Sequence, residues 1–275
     1  MYVVILLSTC VSVIAVLLIC LFLLINGVPA IAQIGPFRFF AGTTWRPSSE
    51  MFGILPMILG SLYVTAGAIV VGVPIGVLTA IYMARFCPHR LYRILRPAVS
   101  LLAGIPSVVY GFFGLMVLVP LTRNLLGGNG SSILTASLLL GIMILPTIIS
   151  VSEASLRAVP QSYYEGSLAM GATHEESVFR AVVPAAKSGI LSSVVLGIGR
   201  AVGETMAVVM VAGNQARLPA GLLRGVRSLT ANIVLEMGYA ADLHREALIA
   251  TGVVLFVFIL LTNLLFSLLK RGRRE

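Results

Sequence analysis

Five stretches of this chain carry no charged residue at all: 1–37, 51–84, 97–122, 124–152 and 247–269. Each exceeds the roughly 20 residues that an α-helix needs to cross about 30 Å of hydrocarbon. A sixth apolar stretch, 188–216, is interrupted only by Arg200 and Glu204. Inside a bilayer, backbone N–H and C=O groups have no water to bond, so a spanning segment must be a helix or part of a closed barrel. Runs this long read as helices. The expected fold class is an all-α integral membrane protein with six transmembrane helices. Composition agrees: 58% of residues are hydrophobic and 11% are charged, whereas a soluble domain carries about 25% charged residues.

The net charge of +9 would suggest nucleic acid in a soluble protein. Here it follows from arginine retained on one side of a membrane, and no nucleic-acid partner is expected. Two basic clusters lie beside helix ends, Arg85–Arg96 and Lys270–Arg274, so both are assigned to the cytoplasm and both termini with them. The residues within Arg85–Arg96 are expected to meet anionic lipid. Ala30-Ile31-Ala32 resembles a signal cleavage site, but no Lys or Arg precedes the first apolar run and that run exceeds a signal's apolar core, so a retained helix is expected. Cys10, Cys20 and Cys87 form no CxxC pattern or His/Cys cluster, which leaves no basis for a disulfide framework or a zinc site.

Organisation follows from the spans. Residues 1–50 hold the first span and an external loop, 51–272 the remaining five spans, and 273–275 a cytoplasmic tail. The outer connection 217–246 contains Ser228–Met237, which reads as a short amphipathic helix at the interface. The inner connection 153–187 is the most patterned polar part of the chain. Ser162-x-x-Glu165 follows Pro160, and Thr173-x-x-Glu176 follows Gly171; both have the spacing of a capping box. Gly171 suits the positive φ of a helix stop, and Pro184 closes the unit. Two short helices folded around a glycine make a docking module rather than a loose linker.

Arg200 and Glu204 are the sharpest functional signal. A charge at mid-bilayer costs about 2.5–3.5 kcal/mol on insertion scales. Spacing i,i+4 places both on one face of a continuous helix, where they can pair. Two readings fit: a structural ion pair that fixes the span, or an anion site in which the Arg fork meets phosphate or carboxylate oxygens while Glu204 orients it. Thr205 offers either a hydroxyl donor to that site or a bond back to its own helix. Ser107 and Tyr110 share one face at the start of the third span, and either line the pathway or satisfy local backbone beside Pro106.

Several activities are excluded. The only lysines are Lys187 and Lys270, so no GK[ST] phosphate-binding loop exists and the chain binds no ATP itself. His174-Glu175 opens like H-E-x-x-H, but Val178 stands where the second histidine belongs. No metal, cofactor or catalytic residue is expected, and the chain is not read as an enzyme.

The string EGSLAMGATHEESVFRAVVP resembles the EAA loop of ABC-importer permeases, with Glu165, Gly171 and Pro184 at the required spacings. Gly166 and Ser167 replace the two alanines of that pattern, Ala181 the isoleucine and Val183 the leucine. Beyond it, LRPAVSLLAGIPSVVYGFFGLMVLVP, RAVGETMAVVMVAGN and LHREALIATGVVLFVFILLTNLL are similar to permease subunits of bacterial high-affinity phosphate importers, the PstC kind before the PstA kind. The resemblance implies the type I ABC-importer permease fold, with 153–187 as the coupling-helix segment seated on an ATPase. It also implies phosphate import along a path that includes Arg200 and Glu204. The implied partners are a second homologous, PstA-like permease, an ATPase dimer that binds the ATP, an external phosphate-binding protein and membrane lipid. The alternatives are the same machine carrying molybdate or sulfate, or a scaffold or sensor subunit with a structural Arg–Glu pair. The plasma membrane is the expected location.

Overall fold

A computed structural model describes residues 1–271, with side chains through Leu264; the tail 273–275 and the side chains of the Lys270–Arg274 cluster lie outside the described residues. The first span is α1 (Tyr2–Ile34), followed by the short α2 (Pro36–Ala41). A two-stranded hairpin, β1 (Trp45–Arg46) and β2 (Met51–Phe52), pairs Trp45 with Phe52. The second span is α3 (Leu55–Ile81), extended by a π turn over Tyr82–Phe86. Next come α4 (His89–Gly104), α5 (Ser107–Phe113), a π turn over Gly114–Leu118 and α6 (Val119–Leu126). The fourth span is α7 (Ile133–Arg157). The inner segment holds α8 (Gln161–Ala169), α9 (His174–Ser177), a π turn over Val178–Val182 and α10 (Val183–Ala185). The chain continues through α11 (Lys187–Gly203), α12 (Met206–Val211), α13 (Leu229–Glu236) and α14 (Asp242–Arg271).

Helix α7 is the hub. It packs against α3, α4, α11 and α12, and Ile133, Leu139, Met143, Ile144, Ile148 and Leu156 are almost fully buried along it. Lipid tails are as apolar as leucine, so helices in a bilayer are held by close packing rather than by hydrophobic exclusion. The sequence supplies the small residues this needs. A methyl group added at Gly72 would lie 2.8 Å from the Gly141 carbonyl, and one at Gly76 would lie 2.8 Å from Ile148. At the edge of the bundle, α1 lies along α14, and most of its length is exposed apolar surface that suits lipid contact.

Among the described residues five helices are long and apolar enough to cross a membrane, and the count reaches six if α9–α10 and α11, bent by 67° at Ala186, form one span. The six-helix expectation therefore stands with two of its spans redrawn. The uncharged stretch 97–122 is divided: the third span opens at Ser107, as its sequence suggests, because Ile105-Pro106 breaks the helix and leaves α4 as a separate amphipathic segment. The fifth is not continuous over 188–216: α11 ends at Gly203, and Glu204 is extended (φ −70°, ψ 130°). Helix α13 is built into the bundle through one face. Leu229, Thr230, Ala231, Asn232 and Glu236 are buried, and the helix packs on α14 and α3.

The inner segment matches its pattern in part. Thr173 accepts from the Glu176 amide while Glu176 accepts from the Thr173 amide, a complete capping box, and Gly171 has φ +91°. The first box is not formed, because α8 starts at Gln161 with Pro160 as its cap, which puts Ser162 inside the first turn. Pro184 sits in the first turn of α10, and the turn at Ala186 closes the unit. The unit is anchored by Val178, Val182 and Ala186, which bury against Ala80, Ile81 and Leu156.

Arg85 and Arg96 each have a protein partner, whereas Arg90 and Arg93 of the same stretch are exposed. Arg85 donates to the Leu156 carbonyl at 2.8 Å. Arg96 meets Glu153 at 2.6 Å, Arg157 meets the same carboxylate at 2.8 Å, and the Tyr92 hydroxyl donates to it at 2.8 Å. Glu153 is 1% exposed, whereas both arginines are nearly half exposed. The asymmetry sets the mutational response. Removing both cations strands a buried carboxylate, at a cost of about 3–5 kcal/mol, while removing the carboxylate leaves two cations that water can reach. Arg96→Met with Arg157→Met should therefore lower the midpoint of SDS-induced unfolding more than Glu153→Gln does, and an equal loss would refute the asymmetry.

Candidate functional site

Arg200 lies in the last turn of α11. At 1.5 Å per residue it is about 20 Å along the axis from Lys187, deep within a hydrocarbon layer of about 30 Å. Its Nη1 donates to Thr147 Oγ1 on α7 at 3.2 Å. Thr147 follows Pro146, which lies inside α7 and has no amide N–H to give to its own helix. No ion pair involves Arg200 among the described residues. A guanidinium presents five N–H donors, so most of this fork is uncommitted.

The expected Arg200–Glu204 pair is not formed, and the reason is the helix break. Spacing i,i+4 brings two side chains together only on an unbroken helix. Glu204 instead turns onto the next element: its Oε1 accepts from the Ala207 amide at 3.2 Å and closes the N-terminus of α12. Its carbonyl, lost to the helix, accepts from Thr230 Oγ1 at 3.1 Å. The sequence carried a signal for this, since Gly203-Glu204-Thr205 directly precedes the apolar run Met206–Val211, the pattern of a helix start.

Tyr110 is buried within reach of the Arg200 charge, and its hydroxyl donates to the Leu102 carbonyl at 2.9 Å, tying α5 to the end of α4 across the Pro106 break. Its neighbour Gly111 lets α5 close on α12, since a methyl group there would meet Met210 Sδ at 2.6 Å. Ser107 is half buried one turn before Tyr110. Thr205 bonds back to the Gly203 carbonyl at 3.3 Å. The structure thus gathers Arg200, Glu204, Thr205 and Tyr110 around the α11–α12 break. Glu165, Gly171 and Pro184 form a separate, exposed group on the inner segment.

A second buried carboxylate supports the site from behind. Glu236, at the end of α13, receives Trp45 Nε1 at 2.8 Å and Arg227 Nη1 at 2.5 Å, and lies 2.9 Å from His244 Nε2. This joins the β-hairpin, the loop before α13, α13 and α14, and so fixes the helix whose Thr230 holds Glu204. Nothing local in the sequence announces it, since Trp45 and Glu236 are 191 positions apart. Thr147 and Glu153 were also unmarked by sequence reasoning, although Glu153 and Arg157 have i,i+4 spacing.

Residues 72–275 match the family described as the binding-protein-dependent transport system inner membrane component. The chain is 40% identical over 253 residues to the probable ABC transporter permease protein YqgH of Bacillus subtilis, a match covering 89% of this chain and 80% of that protein. It is 36% identical over 261 residues to the phosphate transport system permease protein PstC of Mesorhizobium japonicum, covering 86% and 80%. Among solved structures it resembles a chain of the MetNI methionine ABC transporter in an inward-facing conformation, with TM-score 0.65 and 20% identity, covering 83% of this chain and 99% of that one.

The Glu236 cluster makes stability depend on pH. Burial pushes its carboxyl pKa up, but the bonds from Trp45, His244 and Arg227 outweigh burial and hold it below the ordinary value. A lowered folded pKa stabilises above the unfolded value of about 4.3, and the contribution drains away as pH falls below it. Glu236→Gln should melt below the parent protein at neutral pH, with the gap narrowing as pH falls below the ordinary carboxylate range and the folded carboxylate takes up its proton. A gap independent of pH would contradict the charge-based account.

Proposed function

The chain belongs to the family of binding-protein-dependent transport system inner membrane components, and from that premise we propose that it forms the translocation path for inorganic phosphate, with Arg200 as the cation on that path. Components of such systems act with a substrate-binding protein and an ATPase. The finer assignment is a second homologous, PstA-like permease beside this one, with an ATPase dimer beneath the segment 153–187. In this reading the segment faces the cytoplasm, both termini lie on the same side, and the break at Glu204 faces the translocation cavity.

One observation carries the reading: a guanidinium at membrane depth without a carboxylate partner, beside a broken helix. Charges within spanning segments mark transport paths, and non-helical backbone at that depth is tolerated where it is buried in protein or lines a cavity. The structural-pair alternative needs Arg200 and Glu204 in contact, and they form no ion pair; the same separation leaves Thr147 rather than Glu204 to orient the Arg200 fork. Phosphate is favoured over other oxyanions by the relatives named as phosphate permeases. An Arg fork matches any tetrahedral oxyanion.

Transport then proceeds through this chain's own groups. Phosphate released by the binding protein sheds water as it enters, and the Arg200 fork replaces that water with charge-assisted hydrogen bonds. Glu204, held at the start of α12, stays near enough to repel a fully ionised anion, which favours the protonated form. Closure of the ATPase pushes on the exposed surface carrying Glu165 and Gly171, and α11 carries the motion from Ala186 to Arg200.

Labelled-phosphate uptake by cells lacking the chain should return when it is restored and should persist in excess sulfate or molybdate. Arg200→Ala, assembled at normal level, should cut that uptake at least about a hundredfold, the scale of two lost charge-assisted bonds. Unchanged uptake would end the assignment of Arg200. Gly171→Val places a branched side chain at φ +91° and should uncouple ATP hydrolysis from transport while phosphate binding remains; normal coupling would remove the segment's proposed role.

A further inference from the structure

The chain holds a second group of arginines that the path described above does not use. A cavity of about 320 Å³ opens between the α6–α7 connection and the loop after α12, lined by Gly128, Asn129, Ser131, Gln215, Arg217 and Arg224 among others. Its two walls are stitched together through backbone. Ser132 N–H donates to the Val211 carbonyl at 3.2 Å, Ile133 N–H to the Arg224 carbonyl at 3.1 Å, and Leu134 N–H to the Leu222 carbonyl at 2.9 Å. The arginine-bearing loop is thereby fastened to the start of α7, and the cavity is built before any ligand arrives.

Its charge has one sign. No acidic residue occurs between Glu204 and Glu236, or between Arg123 and Glu153, so neither wall contributes a carboxylate. Arg227, on the same loop, is committed to Glu236. Arg217 and Arg224 take part in no ion pair among the described residues. The Gln215 amide oxygen accepts from Arg217, which orients that guanidinium without neutralising it. Arginines on an ordinary solvated face usually have acidic neighbours, and none of the described residues that line this cavity is acidic.

The position is equally specific. Helix α12 begins at the Glu204 break and runs six residues, about 9 Å, toward this loop. The cavity therefore stands one short helix outward of the Arg200 site, at the end of the bundle opposite the inner segment.

We propose that the Arg217–Arg224 cavity is an outer capture site for a tetrahedral oxyanion, which it hands inward along α12 to Arg200. Its identity as an anion site rests on the cavity and its charge. The choice of inorganic phosphate as the anion rests on the import reading above. Two exposed, charge-assisted forks bind such an anion with modest affinity, which is what a station on a conduction path requires: favourable enough to fill and weak enough to release. The same uncompensated charge raises the local anion concentration at the mouth.

The test is equilibrium binding of radiolabelled inorganic phosphate to the purified full transporter in nanodiscs, without its binding protein. Saturable binding is expected, weakened by salt as the charges are screened. Arg217→Gln with Arg224→Gln should lose at least about tenfold in affinity, the scale of one charge-assisted bond. Arg217→Lys with Arg224→Lys should recover part of it and so exclude misfolding, and Arg245→Gln, which removes an outer charge elsewhere, should bind like the parent. Equal binding by the double Gln variant overturns the proposal, as does absence of saturable binding in the parent. If the double Gln variant instead keeps free-phosphate binding and loses affinity for the phosphate-binding protein, the cavity takes a carboxylate of that protein, and the capture site is again overturned. Failure of phosphate uptake with intact Arg217- and Arg224-dependent anion binding would count against the substrate assignment and leave the site standing.

Discussion

A peptide group inside hydrocarbon must find its hydrogen bond within the protein, and the site depends on how this chain meets that demand at one place, the break at Glu204–Thr205. A continuous fifth helix would have satisfied every amide by itself. The chain instead ends α11 at Gly203 and restarts at Met206. It closes the exposed groups with a carboxylate on the Ala207 amide and a hydroxyl from Thr230 on the Glu204 carbonyl. The hydroxyl comes from α13, so that helix must be held to the bundle, and the Glu236 cluster holds it. The outer hairpin, the buried α13 and the broken span form one chain of dependence that ends at Arg200.

The other chain of dependence runs along α7. At mid-length it supplies Thr147 to Arg200; five residues on, Ser152 bonds Ser193 of α11 at 2.7 Å; next to that, Glu153 gathers Arg96, Arg157 and Tyr92. The inner segment packs on the same end of α7 through Leu156. In the proposed cycle, a push on that segment acts on α11 directly and on α7 through this packing. The contact between Arg200 and Thr147 lies where the two helices would shift relative to each other, so the hold on the cation can change with the state of the ATPase. A single-helix site would lack that leverage, because both ends of its contact would move together.

Legibility in the sequence followed the range of the interaction. Long apolar runs gave the helical membrane class directly, because the bilayer imposes a length on every span. Thr173, Glu176 and Gly171 were readable because a capping box and a positive-φ stop are settled within four residues. Ser162 had the same spacing and did not cap, since Pro160 had already fixed the start of α8. Arg200 and Glu204 were found by their cost in lipid, but their pairing was misread. Periodicity presumes an unbroken helix, and here α11 ends at Gly203 and the Glu204 carboxylate turns onto the Ala207 amide of α12. The protein partners of Arg85 and Arg96, Leu156 and Glu153, were not legible because they lie more than fifty positions away. Trp45 and Glu236 left no trace at all, since only the folded chain brings them together.

Separating Arg200 from Glu204 also makes better sense of transport than pairing them would. A closed Arg–Glu pair is neutral, and an arriving anion would have to break it and leave the carboxylate unpaired in a medium where that costs several kcal/mol. In the observed arrangement Glu204 is engaged by the first turn of α12, where the helix dipole favours negative charge. Arg200 is left with a hydroxyl, a partner that holds its orientation and does nothing to cancel its charge. On the proposed path, a passing oxyanion is the group that would supply the charge partner Arg200 lacks among the described residues. If Arg200 is the cation on the path, a site arranged in this way gains charge compensation when filled, so occupancy itself would bias the helices that hold it.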